Sequence, residues 1–121
     1  MILIAKCRIG YPCRYHGRPV RSPQLIKKIK NLPYLLVCPE CESGLPTPRP
    51  LIYVEDGQFF LGRGKDITYL LLQYCEQKII KLQQLKIEKF IGVKDSPCCD
   101  PKKGLFAYYL RKIGIKSRLQ L

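Results

Sequence analysis

Three short apolar runs, each ending at a cysteine, constrain this chain more than anything else in it. Met1-Ile2-Leu3-Ile4-Ala5-Lys6 runs into Cys7. Leu35-Leu36-Val37 runs into Cys38-Pro39-Glu40. Lys89-Phe90-Ile91-Gly92-Val93-Lys94 runs into Asp95-Ser96-Pro97-Cys98-Cys99. Runs of this length, rich in β-branched residues and stopped by proline or a polar turn, read as buried strands. In an open parallel sheet, ligands bind in the crevice outside the carboxyl ends of the strands. If the three strands are parallel neighbours, Cys7, Cys38 and Cys99 meet at one rim of the sheet.

The segments between them support parallel strands. Cys7 to Gly17 reads as a loop. Ser22-Pro23 opens a helix, with serine as cap and proline in the first turn. Leu25, Ile26 and Ile29 follow at helical spacing, and Asn31 and Pro33 end it. Strand–helix–strand crossovers of this kind are right-handed and parallel. Residues 41–50 hold three prolines and read as a stiff loop. Leu51 to Val54 and Gln58 to Leu61 flank Glu55-Asp56-Gly57, a hairpin signal. Asp66 begins the longest helix, to about Leu85, with Ile67, Leu70, Leu71, Tyr74, Ile79 and Leu82 on one face. A strand at 87–94, a helix from Asp100 to Ile113 and a short strand from Ile115 to Leu119 complete the chain. The expected class is α/β: a three-layer, Rossmann-like domain with a short, mainly parallel sheet and a small β-hairpin excursion.

A chain of 121 residues, 46% hydrophobic, fits one domain over residues 1–121. No apolar run reaches the roughly 18 residues a membrane span needs. The first residues are too soon interrupted by Lys6 and Arg8 to be a signal peptide. The expected location is the cytoplasm, with no membrane partner. There, seven cysteines, an odd number, argue for metal or catalytic use over disulfides. The net charge of +13 attracts anions, so RNA or a nucleotide is a second class of partner. The charges are spread along the chain and form no single run, and a merely solvated surface has equal weight.

Thiolates suit soft acceptors, iron–sulfur clusters and zinc among them. Three cysteine ligands with an open position make a catalytic arrangement, whereas closed four-thiolate sites are structural. Glu40, two residues from Cys38, faces the same crevice and is placed to activate or orient water; its bland alternative is an N-cap or an ion pair with Arg14 or Arg49. Ser96 is either a hydrogen-bond donor at the site or the cap of a turn. Cys13, Cys98 and Cys41 are accessory thiols, alternate ligands or packing groups. Cys75, inside the long helix, reads as core. His16, the only histidine, is either a proton shuttle or an exposed loop residue. Arg14, Tyr15 and Arg49 flank the cysteines, where they bind substrate or anchor loops.

Taken in order, Cys7-x5-Cys13-Arg14-Tyr15-x-Gly17, Val37-Cys38-Pro39-Glu40, Gly44-Leu45-Pro46-Thr47-Pro48-Arg49-Pro50, Gly64-x-Asp66-Ile67-Thr68 and Ser96-Pro97-x-Cys99 resemble the thiouracil desulfidase family over nearly the whole chain. The Cys-Pro-Glu block with Gly-Leu-Pro-Thr-Pro-Arg-Pro is the most specific part. The resemblance implies a Rossmann-like domain holding a 4Fe–4S cluster on three cysteines. It selects Cys7, Cys38 and Cys99 as those ligands. The fourth iron has no protein ligand and receives the sulfur of a thiolated uracil. It further favours Glu40 as a catalytic residue; Ser96 is counted as a second one on its place beside Cys99. The chain departs from the family pattern in three places. His16 stands where an aspartate is usual, Cys98 sits beside Cys99, and a glycine-rich segment before the last helix is mostly missing.

The expected function is therefore iron–sulfur-dependent, hydrolytic desulfuration of a thiolated pyrimidine (thiouracil or a related base, nucleoside or nucleotide), releasing sulfide with no net redox change. The alternatives are a basic nucleic-acid-binding module stabilised by zinc or a cluster, and an inactive relative that keeps the fold. The zinc reading lacks a second Cys-x2-Cys pair, since only Cys38-x2-Cys41 is present.

Overall fold

A computed structural model describes all residues, 1–121. The elements run β1 (Ile2–Ala5), a 3-10 turn (Lys6–Ile9), α1 (Pro23–Ile29), β2 (Tyr34–Val37) and α2 (Pro39–Glu42). Then come β3 (Ile52–Glu55), β4 (Gln58–Leu61), β5 (Lys65–Asp66), α3 (Thr68–Gln83), β6 (Lys89–Ile91), α4 (Leu105–Lys112) and β7 (Lys116–Arg118). The main sheet has the order β2-β1-β6-β7 and every pairing in it is parallel. Register brings the strand ends level: Ala5 pairs with Val37, and Ile4 with Ile91.

Alternation along the strands produces three layers. Ile2, Ile4 and Ile91 pack with Leu25 and Ile29 of α1 on one face. Leu3, Ala5, Val37 and Phe90 point the other way, into a cluster with Leu71, Cys75 and Leu82 of α3 and with Phe106 and Leu110 of α4. Phe90 meets Phe106 edge-on at 5.4 Å, the arrangement aromatic quadrupoles favour. Ser22 caps α1, its Oγ accepting from the Leu25 amide at 3.3 Å, and Pro23 occupies the first turn.

β3, β4 and β5 form a separate antiparallel sheet. Its hairpin turns at Asp56 and Gly57, both with positive φ (51° and 77°), which matches the primed turn the Asp-Gly pair favours. Phe59 of β4 belongs to the main core. The Thr68 Oγ1 accepts from the Phe59 amide at 2.7 Å, tying the sheet to the start of α3. No helix is long and apolar enough to cross a membrane.

The elements differ from the sequence reading at their ends. Cys7 sits on a 3-10 turn and not in an open loop. Pro39 begins a helical turn where residues 41–50 read as a loop, and β5 was not foreseen. The strand expected at 87–94 stops at Ile91. The last helix begins at Leu105, because Asp100 to Lys103 form a separate turn on the Asp100 carboxylate.

Candidate active site

The level strand ends open into a single small cleft, with a cavity of about 110 Å³. Cys7, Cys38, Cys99, Cys13, Glu40, Ser96, Arg14, Tyr15 and Arg49 all line it. Cys41, Cys98 and His16 do not. Cys98 is fully buried in the core cluster. His16 packs on the Tyr15 ring at 4.6 Å, and its Nδ1 accepts from the Arg18 amide at 2.9 Å. Cys41 lies behind the wall, its Sγ 3.3 Å from Thr47 Oγ1 and donating to the Cys13 carbonyl at 3.4 Å. Cys75 is core, as its helical position predicts.

Each thiol is held by local backbone structure. Cys7 follows β1 on the 3-10 turn, which Gly10 ends at φ 114°. Cys38 caps α2: its carbonyl accepts from the Glu42 amide at 2.8 Å, and its own amide donates to Glu42 Oε2 at 2.9 Å. Tyr74 and Lys78 of α3 hold the other oxygen of Glu42 at 2.8 and 3.1 Å.

Cys99 rides on the loop after β6. Val93 donates to its carbonyl at 3.0 Å, and Ser96 Oγ accepts from the amides of Cys98 and Cys99 at 3.3 and 3.0 Å. Asp100, 5% exposed, anchors the same loop by accepting from the amides of Asp95, Lys102 and Lys103. The loop closes so tightly that a Cβ on Gly92 would sit 1.9 Å from the Cys99 carbonyl oxygen. Neither Asp100 nor Gly92 was singled out from sequence. Asp100 resembled a helix cap, and nothing local marks Gly92 as a close approach.

Glu40 forms an ion pair with Arg49. Arg49 Nη2 and Nε donate to Glu40 Oε1 at 2.7 and 3.0 Å. Arg49 also donates to the carbonyls of Pro46 and Cys13 and to Thr47 Oγ1, each at 3.0 Å. All five N–H groups of its guanidinium are thus engaged within the protein. Arg49 is a positioning residue that fixes Glu40 and the Cys13 loop and has no donor left for a substrate. Both of its bonds to Glu40 fall on Oε1, which leaves Oε2 without a protein partner.

The thiols interact with one another. A hydrogen bond with the Cys13 thiol lowers the Cys7 pKa against the opposing effects of burial and Cys99. Cys13 is lowered by its bond with Cys38, but its bond with Cys7 and burial outweigh that and push it up to about 11. Cys38 is raised by its bond with Cys13 and by burial, against the Cys41 amide. Burial, then the Glu40 carboxylate and Cys38, raise Cys99 well above the usual thiol range, and a bond from Ser96 opposes them. Buried thiols in this mutual contact ionise together only beside a compensating cation. The donor set therefore fits a soft, positively charged centre. No three His, Cys, Asp or Glu side chains are arranged to hold one metal ion, the arrangement that the zinc reading needs. In a cluster each thiolate binds a different iron, so the sulfurs need a common cleft and not a common point.

Comparison with known proteins agrees. The model of a family described as 2-thiouracil desulfurase matches residues 2–118. The chain belongs to that family. It is 25% identical over 109 residues to the uncharacterized protein YbbK of Bacillus subtilis (strain 168), covering 82% of this chain and 72% of that protein. Among solved structures it is similar to the 4Fe–4S-dependent thiouracil desulfidase TudS. The TM-score is 0.84 at 25% identity, over 96% of this chain and 87% of that one. The fold expected from the strand pattern is thus the fold of a family member.

Proposed function

We propose that this protein is an iron–sulfur-dependent enzyme that hydrolyses the carbon–sulfur bond of a thiolated pyrimidine in the cleft at the ends of β1, β2 and β6. Cys7, Cys38 and Cys99 would hold a 4Fe–4S cluster. When bound, that cluster supplies a Lewis-acidic iron lacking a protein ligand, against which a thiocarbonyl sulfur is polarised. The observation that carries this reading is the convergence of those thiols, from three distant parts of a family member's chain, on one cleft that also receives Glu40.

The protein's own groups divide the remaining work. The Oε2 of Glu40 accepts a proton from water as its oxygen adds to the ring carbon, with Oε1 held by Arg49. Ser96 positions Cys99 by accepting its amide, and its hydroxyl proton is free for the sulfur side of the site. Arg14 and Tyr15, at the rim, are placed to orient the pyrimidine. Val37, Pro39, Ile52, Val93 and Pro97 form an apolar wall that limits water. The overall balance is thiocarbonyl plus water giving carbonyl plus hydrogen sulfide, with no electrons consumed. Seven free cysteines suit the reducing cytoplasm, where we place this activity.

The test is sulfide and uracil release from thiouracil by anaerobically prepared protein, with iron measured in parallel. Cys38→Ala is expected to lose iron and activity together. Glu40→Gln is expected to keep iron and lose kcat by about 10²-fold or more. Sulfide release that survives Cys38→Ala would overturn the proposal.

A further inference from the structure

Beyond the cleft, across the segment at Val93 that lines both, lies a second cavity, whose walls include Arg8, Arg21, Lys94 and Leu119. Three cationic side chains line it, and no carboxylate does. Arg8 is the unusual member. It is 6% exposed, yet it takes part in none of the protein's ion pairs. Its Nη1 donates to the carbonyls of Gly92 and Leu119, both at 2.8 Å. Its Nε is buried with no acceptor at all. A buried charge with no counter-ion, and a buried donor with no partner, are both costly.

The surroundings explain why no internal acid answers it. Up to Pro39 the chain carries eight basic residues and no acidic one, and from Pro101 onward it carries six and none. The sequence separates these segments and the fold joins them: Arg8 reaches the Leu119 carbonyl at this cavity, and Lys28 of α1, outside it, the Leu121 carbonyl. Asp95, the nearest acid in sequence to Lys94, is turned to Lys103 at 3.0 Å.

We propose that this cavity is a second binding site, for a phosphate group. Arg8 Nη1 is spent on two carbonyls, so Arg21 supplies the planar guanidinium fork that suits the several oxygens of phosphate, and Arg8 adds its charge. Arg21 and Lys94 raise the positive charge to match a dianion better than a single carboxylate. Ser22, Gln24 and Gln120 add neutral polar groups at the wall. The phosphate is either free or carried on a nucleotide or a nucleic-acid backbone. The site does not depend on the cluster or on desulfuration.

The experiment measures binding of inorganic phosphate, uridine monophosphate and a short single-stranded RNA to the full chain, by calorimetry and by melting midpoint. Chloride at matched ionic strength is the reference. Wild type is expected to gain several degrees in midpoint with phosphate over chloride. The doubly substituted R21Q/K94Q protein, changed at the cavity wall, is expected to bind at least tenfold more weakly. Arg8→Met is expected to lose binding as well, and the double variant keeps the test valid if Arg8→Met fails to fold. Equal affinity for phosphate and the nucleotide identifies a free-phosphate site. A tenfold preference for the nucleotide or RNA identifies the carrier. No gain over chloride, or an unchanged affinity in R21Q/K94Q, would overturn the site.

Discussion

At the scale of single residues, Arg49 shows how one side chain organises a site without touching the chemistry. Its five donors join Glu40, the Cys13 loop and the proline-rich segment. Lysine keeps the charge but loses the fork. Arg49→Lys is therefore expected to lower stability by about 2 kcal/mol, from bonds worth roughly 1.5–3 kcal/mol each when charged. It should also reduce kcat with little change in KM, since Glu40 loses its fixed orientation. Denaturant midpoints at constant m, together with steady-state kinetics, check both. The sequence placed Arg49 beside the cysteines and paired it with Glu40 as one alternative. It gave no means of counting donors, because the carbonyls that consume them come from residues made adjacent only by folding.

At the scale of elements, the helical turn α2 and the loop after β6 each deliver one thiol, and each is pinned by a carboxylate. Glu42 and Asp100 are both raised by burial. Each nonetheless ends with a pKa below its ordinary value, Glu42 through the Cys38 amide, Tyr74 and Lys78, and Asp100 through the amides of Lys103, Asp95 and Lys102. A carboxylate depressed in the folded state contributes stability that is complete above its unfolded pKa and fades as pH falls through the folded one. Stability is thus expected to drop below about pH 4, and Asp100→Asn should flatten that drop in denaturant midpoints measured from pH 3 to 6. Gly92→Ala is a steric counterpart. Its Cβ would collide with the Cys99 carbonyl, so a loss of about 1–3 kcal/mol is expected, with reduced iron loading after anaerobic reconstitution. Existence and type of the long elements were legible because periodicity reports burial. The ends were not, because Asp100 and Pro39 carry signals that a loop and a helix share. Pro39 with Glu40 and Glu42 behind it is, in retrospect, a first-turn pattern.

At the scale of the whole molecule, a net charge of +13 repels itself, and added salt screens it. The melting midpoint is expected to rise between 10 and 150 mM sodium chloride, and scanning calorimetry across that range checks it. The three-layer fold was readable from three apolar runs and the helical stripes between them, since alternation and period fix which face each element buries. The convergence of Cys7, Cys38 and Cys99 followed from strand direction alone. The Arg8 cavity did not, because its walls come from both ends of the polypeptide.

One consequence follows from β1 lying between β2 and β6. The middle strand of the sheet precedes both of its neighbours in the chain, and β6 is made long after it. Until then β1 presents an open hydrogen-bonding edge, and Cys7 waits without Cys99. Assembly of any inorganic centre on these sulfurs accordingly waits for β6 and the loop that carries Cys99.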